Sequence, residues 1–262
     1  MRSLTRRGGP PWLRALGPLV LADLRHRYGG SPLAALWALS VPLVEVAAYV
    51  LLFGFLIGGR VPQGGLTFGL YLAMGILPWA SLREGLEGAA AVLHENRWVR
   101  RSAVPVELLV ARQVVAALPR AAFGLFLVLL VAWGRGTSPG PAWLLPLVAL
   151  YLQTAAAYGL GLALAPLAAL HSAFRPALTS ALTLLTFASP ILYPEALLGE
   201  RVRAVLDWNP FTHLLRLYRF PLVPDTPLGA ADVAIALVVP LACMAAGGFL
   251  KGKLWWPARD RL

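Results

Sequence analysis

The 262-residue sequence predicts an all-α integral membrane protein. Its expected components are six transmembrane helices, an N-terminal amphipathic interface helix, and short re-entrant or gate helices before the last span, with both termini cytoplasmic. Three observations predict this class. Hydrophobic residues make up 58% of the chain and charged residues 13%, against ~45–50% and ~25% in a typical soluble domain. Six apolar runs approach the ~20 residues that a helix needs to cross a bilayer core. Arginine and lysine also collect on one side of those runs, as the positive-inside rule requires. An ordinary soluble enzyme, a disordered tail and a secreted disulfide scaffold are thereby excluded.

The whole chain, 1–262, reads as a single transmembrane domain: an interfacial segment 1–32, a six-span region 33–250 and a cytoplasmic tail 251–262. Arg6-Arg7 before apolar residues suggests a twin-arginine signal. However, Leu16–Leu24 is short and broken by Asp23, and no A-x-A site follows. Leu13, Leu16, Val20 and Leu24 instead recur at three-to-four spacing with arginines opposite, which predicts an amphipathic helix over Trp12–Tyr28 lying in the interface.

The spans follow in order. Leu33–Ile57 carries one charge, Glu45, and Leu66–Leu82 carries none before running into Arg83-Glu84-Gly85-Leu86-Glu87. Leu108–Trp133 is interrupted by Arg112 and Arg120, Gly136–Leu170 is uncharged, and Pro176–Pro194 and Val233–Leu250 complete the set. Arg83, Glu84 and Glu87 fall on one helical stripe, with an i,i+4 pair between Arg83 and Glu87. Outside the spans, Leu197-Leu198, Val202, Val205-Leu206 and Leu214-Leu215 give the segment 195–232 a helical spacing that predicts short helices dipping into the membrane. With this topology 14 Arg/Lys lie inside and six outside, which sets both termini in the cytoplasm. Trp133, Trp143 and Trp208 then mark the outer interface, and Trp37, Trp255 and Trp256 the inner one.

The net charge of +11 reads as orientation and contact with anionic lipid rather than nucleic-acid binding. No G-x-x-x-x-G-K-[ST], H-E-x-x-H or G-x-S-x-G occurs, so the chain is expected to hold no catalytic, cofactor or metal site of its own. His26, His94, His171 and His213 are scattered, and Cys243 stands alone. Charges inside spans are costly and are functional candidates by default. Glu45 either lines a polar passage or is a buried partner for Arg112 or Arg120, and Arg120, midway along the third span beside Pro119, is alternatively placed to attract an anionic headgroup. Tyr49, Phe53, Phe55, Phe68 and Tyr71 gather near the outer half of the first two spans, either as a lipid-facing aromatic belt or as faces for stacking sugar rings. Gly54-x-x-x-Gly58 and Gly65-x-x-x-Gly69 fit close helix packing, with Gly65 expected in a loop.

Several strings in this order carry a resemblance. They are Ala22-Asp23-Leu24-Arg25-His26-Arg27-Tyr28-Gly29-Gly30-Ser31 with Leu36-Trp37 and Pro42, then Gly75-Ile76-Leu77-Pro78-Trp79 with Glu84, and Asn96 with Pro105-Val106-Glu107. Ser189-Pro190-Ile191-Leu192-Tyr193-Pro194 and Asn209-Pro210-Phe211 with Tyr218-Arg219 follow. The set resembles the membrane (permease) subunit of type-2 ABC exporters of O-antigen, capsule and teichoic-acid polysaccharides.

The resemblance implies a half-transporter of the inner membrane. Two copies would join two copies of a separate ABC ATPase that carries the ATP and Mg, and would export a polyprenyl-diphosphate-linked glycan. It implies ATPase coupling through Asp23, Arg25, Arg27, Tyr28, Glu95, Asn96, Arg97, Arg100 and Arg101. It also implies an outer gate of Ser189, Pro190, Tyr193, Asn209 and Pro210. Glu45, Tyr49, Phe53, Tyr71, Trp79 and Arg120 are the candidates for the translocation path. A drug or lipid exporter of the same fold is the near alternative. A multi-spanning transferase would want clustered acidic or histidine residues at one membrane face, and a secondary transporter often shows internal repeats; the sequence has neither.

Overall fold

Pro11–Tyr28 forms the first helix, α1, of the computed structural model, which describes residues 11–29, 40–41, 43–48, 51–52, 65–95, 104–223 and 226–261. A helix thus stands where one was expected at Trp12–Tyr28, and Val20 is buried on it. The expected first span, 33–57, falls only partly within the described residues. Its described residues are helical, with Leu43, Val44, Leu51 and Leu52 exposed.

The next helix, α2, runs from Gly65 to Glu95 and joins the expected second span to the charged stripe that follows it. Gly65 opens this helix rather than sitting in a loop. Leu72, Met74, Leu77, Val92 and Leu93 are fully buried, and α2 packs against the helices at 106–116, 118–134, 145–170, 174–187 and 210–219. Pro78 lies inside it and cannot donate a backbone bond. The Gln153 side-chain amide donates to the Pro78 carbonyl at 2.9 Å, and the Tyr218 hydroxyl donates to Gln153 Oε1 at 3.2 Å.

Val106–Ala116 (α3) and Leu118–Gly134 (α4) are one passage broken at Ala117, where Pro119 starts the second helix. The Ser81 hydroxyl donates to the Ala117 carbonyl at 2.9 Å and so satisfies the break. A 3₁₀ turn, Pro141–Leu144, leads into α5, Leu145–Leu170. Phe174–Phe187 (α6), Glu200–Leu206 (α7), Pro210–Arg219 (α8) and Ala230–Arg261 (α9) complete the chain. Every regular element among the described residues is helical. Three passages are long and apolar enough to cross a membrane: Val106–Gly134, Pro141–Leu170 and Ala230–Arg259, of 29, 30 and 30 residues.

Two boundaries differ from the sequence expectation. The run Pro176–Pro194 yields only the 14-residue α6, which stops at Phe187 because Pro190 and Pro194 follow and a turn takes over. At the other end, α9 continues through residues 251–261 as helix, past the expected end of the last span. The close glycine packing also lies elsewhere. Gly54 and Gly58 are outside the described residues, whereas α5 and α9 touch backbone to backbone at Gly159 and Gly247. A Cβ on Gly247 would stand 1.8 Å from the Gly159 carbonyl oxygen. Two polar ties bind the Glu95 end of the bundle: the Lys251 ammonium pairs with Glu107, and the His94 ring bonds the Ala168 carbonyl at 2.9 Å.

Candidate functional site

A cavity of about 720 Å³ opens beside the middle of α2. The helix presents Trp79, Arg83, Glu84 and Glu87 to it at the spacing of one face. Arg112 and Gln113 of α3 and Arg120 of α4 face them, Arg175 and Thr186 of α6 close one side, and Asp23 and Glu45 approach from the N-terminal region. Ile191 and Leu192, in the turn after α6, also line it. So many charged side chains cannot face hydrocarbon, and in an apolar helical protein they mark a polar passage or a buried network.

The pairings are specific. Arg83 Nε donates to Glu87 Oε1 at 3.1 Å, the i,i+4 pair expected from the sequence. Trp79 Nε1 donates to the Thr186 hydroxyl at 2.8 Å and ties α2 to α6. Arg120 Nη1 stands 3.6 Å from Glu84 Oε2. The expected pairing of Glu45 with Arg112 or Arg120 is therefore corrected: Arg120 faces Glu84, and Glu45 is exposed. The Nε atoms of Arg112 and Arg120 are buried without a hydrogen-bond partner among the described residues.

Of the residues singled out for the path, Glu45, Trp79 and Arg120 come together here, joined by Asp23 and Glu95 from the coupling set. Arg25 is exposed on α1, and Arg27 and Tyr28 occupy its last turn. Tyr49, Phe53, Asn96, Arg97, Arg100 and Arg101 lie outside the described residues.

Tyr71 is buried and works within the fold, at the far end of α2 from Glu95. Its hydroxyl donates toward the carbonyls of Tyr193 at 2.8 Å and Pro190 at 3.1 Å. Arg219, 2% exposed, lies with its guanidinium 3.5 Å above the Tyr71 ring. It donates to the Pro190 carbonyl (2.6 Å), the Tyr71 hydroxyl (2.7 Å), the Ile191 carbonyl (3.1 Å) and the Tyr71 carbonyl (3.3 Å). A cation thus takes up carbonyls of the turn that follows α6. Gly75 makes room for it, since a Cβ there would be 2.7 Å from Arg219 Nη2. Asn209 caps α8 by accepting from the Phe211 amide at 3.0 Å and donates to the Ser189 hydroxyl at 2.7 Å. Ser189, Pro190, Tyr193 and Asn209 are therefore gathered in one bonded cluster, and Pro210 begins the adjoining helix. This cluster holds the turn that bounds the cavity.

A second network secures the same region. Arg216 contacts Glu195 at 2.6 Å, Asp207 at 2.6 Å and Asp232 at 2.8 Å. His213 Nδ1 is 2.6 Å from Asp232, its Nε2 is 2.9 Å from the Asp207 carbonyl, and the Gly229 amide donates to Asp232 at 2.7 Å. Burial disfavours the Arg216 charge, but its bonds to Glu195, Asp232 and Asp207 outweigh that and raise its pKa above the ordinary arginine value. Arg216 is therefore a permanent cation that gathers three carboxylates from separate elements. Sequence reasoning missed His213, Arg216 and Asp232 as a unit. The available signal was the i,i+3,i+6 spacing of His213, Arg216 and Arg219 in an otherwise apolar stretch.

Apolar helices, three of them long enough to cross a membrane, surround a charged cavity, as in a polytopic membrane protein. The chain belongs to the ABC-2 type transporter membrane family, whose pattern matches residues 20–222. Its relatives are polysaccharide permeases. It is 31% identical over 210 residues to the O-antigen export system permease protein RfbA of Myxococcus xanthus, covering 77% of each chain. It is 24% identical over 209 residues to the polysialic acid transport protein KpsM of Escherichia coli, covering 79% of this chain and 80% of the relative. The O-antigen export system permease protein RfbA of Klebsiella pneumoniae is 22% identical over 205 residues, with 75% of each chain covered.

Proposed function

We propose that this chain is the permease subunit of an ATP-driven exporter of a polyprenyl-diphosphate-linked polysaccharide of the O-antigen, capsule or teichoic-acid type. In this reading the chain is one transmembrane domain with six spans and cytoplasmic termini, α1 lies in the inner interface of the cytoplasmic membrane, and α7 and α8 are short outer gate helices. Two copies form the path, and two copies of a separate ATPase bind and hydrolyse ATP with Mg. The observation that carries the reading is the charged cavity beside α2, lined in part by the Ile191–Leu192 turn. Family membership and the named functions of the relatives support the substrate class.

Coupling follows the length of α2. Glu95 at one end adjoins the segment that carries Asn96, Arg97, Arg100 and Arg101, which with Asp23, Arg25, Arg27 and Tyr28 seats the ATPase. Tyr71 at the other end holds the gate turn. A shift of α2 driven by ATPase closure is thus felt at both the cavity and the turn. The test is co-purification with a candidate ABC ATPase subunit expressed together with this chain. Arg100→Glu with Arg101→Glu should insert normally, lose most of the bound ATPase and stop export. Retained coupling in that variant, or transport by an ion gradient without ATPase, would remove the reading.

A further inference from the structure

We propose that Arg112 and Arg120 form a binding site for a phosphate or diphosphate group inside the cavity, and that Glu84 holds the place of this anion until it arrives. The inference rests on the exporter reading and names where that substrate's anionic group is held.

A contrast within the molecule carries it. Two buried arginines elsewhere are fully engaged: Arg216 meets three carboxylates at 2.6–2.8 Å, and Arg219 donates to four oxygens. Arg112 and Arg120 are not. Both have a buried Nε without a hydrogen-bond partner among the described residues. The ion pair of Arg120 with Glu84 spans 3.6 Å, beyond hydrogen-bond length. Arg120 also lies near the middle of the 29-residue passage Val106–Gly134, where an arginine is costly unless something compensates it.

The other charges at the cavity do not supply that compensation. Arg83 and Glu87 are committed to each other. Glu45, Glu95 and Arg175 are exposed. Asp23 approaches from α1, so the cavity carries both signs. A small free anion also feels the carboxylates and is held more weakly. A phosphate attached to a larger polar or lipidic body gains further contacts, for example at Trp79. Phosphate oxygens match the guanidinium fork, and two forks on one passage suit one diphosphate or two successive positions of a phosphate. Entry of the anion replaces the loose Glu84 contact with short charge-assisted bonds.

The test uses the full permease with its ATPase in phosphatidylcholine nanodiscs, titrated calorimetrically with farnesyl diphosphate, inorganic diphosphate and farnesol. Farnesyl diphosphate should bind and farnesol should not. Arg112→Gln and Arg120→Gln should each weaken binding roughly tenfold or more. Glu84→Gln should strengthen it several-fold, because a competing carboxylate is gone. A purely structural Glu84–Arg120 pair predicts the opposite sign, weaker or unchanged binding, and that outcome overturns the proposal.

Unchanged binding in both glutamine variants overturns it as well. If either variant fails to fold, the corresponding lysine variant keeps the charge but loses the fork and should still weaken binding. Arginine-dependent competition by inorganic diphosphate identifies a free anion as ligand, and competition by added phosphatidylglycerol identifies a lipid headgroup; both support the site. Glycan export is measured in cells in parallel. Normal export with arginine-independent binding removes the site and leaves the exporter reading, whereas arginine-dependent binding without any export removes the exporter reading alone.

Discussion

Replacing Arg219 with methionine should release the turn that lines part of the cavity. The guanidinium donates to Pro190, Ile191 and both oxygens of Tyr71, and it lies 3.5 Å over the Tyr71 ring. Methionine fills much of the space but donates nothing. The Pro190 carbonyl keeps the Tyr71 hydroxyl, at 3.1 Å, while the Ile191 carbonyl loses its bond to Arg219. Each orphaned buried acceptor costs about 1–3 kcal/mol, and each lost hydrogen bond from a charged donor about 1.5–3 kcal/mol. Removing a desolvated cation returns some of this. We expect a net loss of about 3 kcal/mol from the closed turn, roughly two orders of magnitude in its closed-to-open ratio.

The assay is the labelling rate of Leu192→Cys by a membrane-impermeant maleimide added from outside, in a background with Cys243→Ala. Labelling should accelerate roughly a hundredfold in Arg219→Met. Tyr71→Phe, which removes one hydroxyl, should give a smaller increase, and the double variant should fall short of the product because the two side chains share one cluster. Equal labelling of Leu192→Cys with and without Arg219 would refute the reasoning.

Two further predictions follow from the packing and the second network. Gly247→Val should destabilise the detergent-solubilised protein by about 3 kcal/mol or more, because the new Cβ meets the Gly159 backbone and neither helix can yield locally; unchanged thermal stability would contradict the contact. Arg216→Met should cost about 3–5 kcal/mol, since Glu195, Asp207 and Asp232 then face one another without their shared cation. Adding Asp232→Asn to that variant should recover some of the loss in melting temperature by removing one like charge. Equal melting temperatures for Arg216→Met with and without Asp232→Asn would contradict the network.

Much of the architecture was legible in the sequence, and where it was not the reason is physical. The α1 stripe and the Arg83, Glu84 and Glu87 face could be read because helical periodicity is local. The end of α6 was misplaced because an uncharged run through Pro190 and Pro194 looks like a span by hydropathy alone. What stops the helix is a turn whose carbonyls are satisfied by Arg219, a residue from another element. Glu45 was expected as the acidic partner, and Glu84 was missed for a similar reason. That Glu84 meets Arg120 depends on how α2 is rotated about its axis against α3 and α4, which no run of residues encodes. Glu195, Asp207, His213, Arg216 and Asp232 meet only after the segment 195–232 folds back on itself. Single positions such as Gly75 and Gly247 gain their meaning from a neighbour's atom 1.8–2.7 Å from a missing Cβ.

The central claim is that this chain provides the path through which an ATPase moves a phosphate-linked glycan across the membrane. The most direct test is reconstitution of the permease with its ATPase in proteoliposomes loaded on the ATPase side with a short polyprenyl-diphosphate-linked oligosaccharide. Appearance of the glycan on the opposite face is then followed with a membrane-impermeant lectin. Movement should require ATP and both subunits, and should fall sharply in Arg120→Gln. Movement without the ATPase, or ATP hydrolysis by the intact complex with no glycan reaching the far side, would contradict the claim.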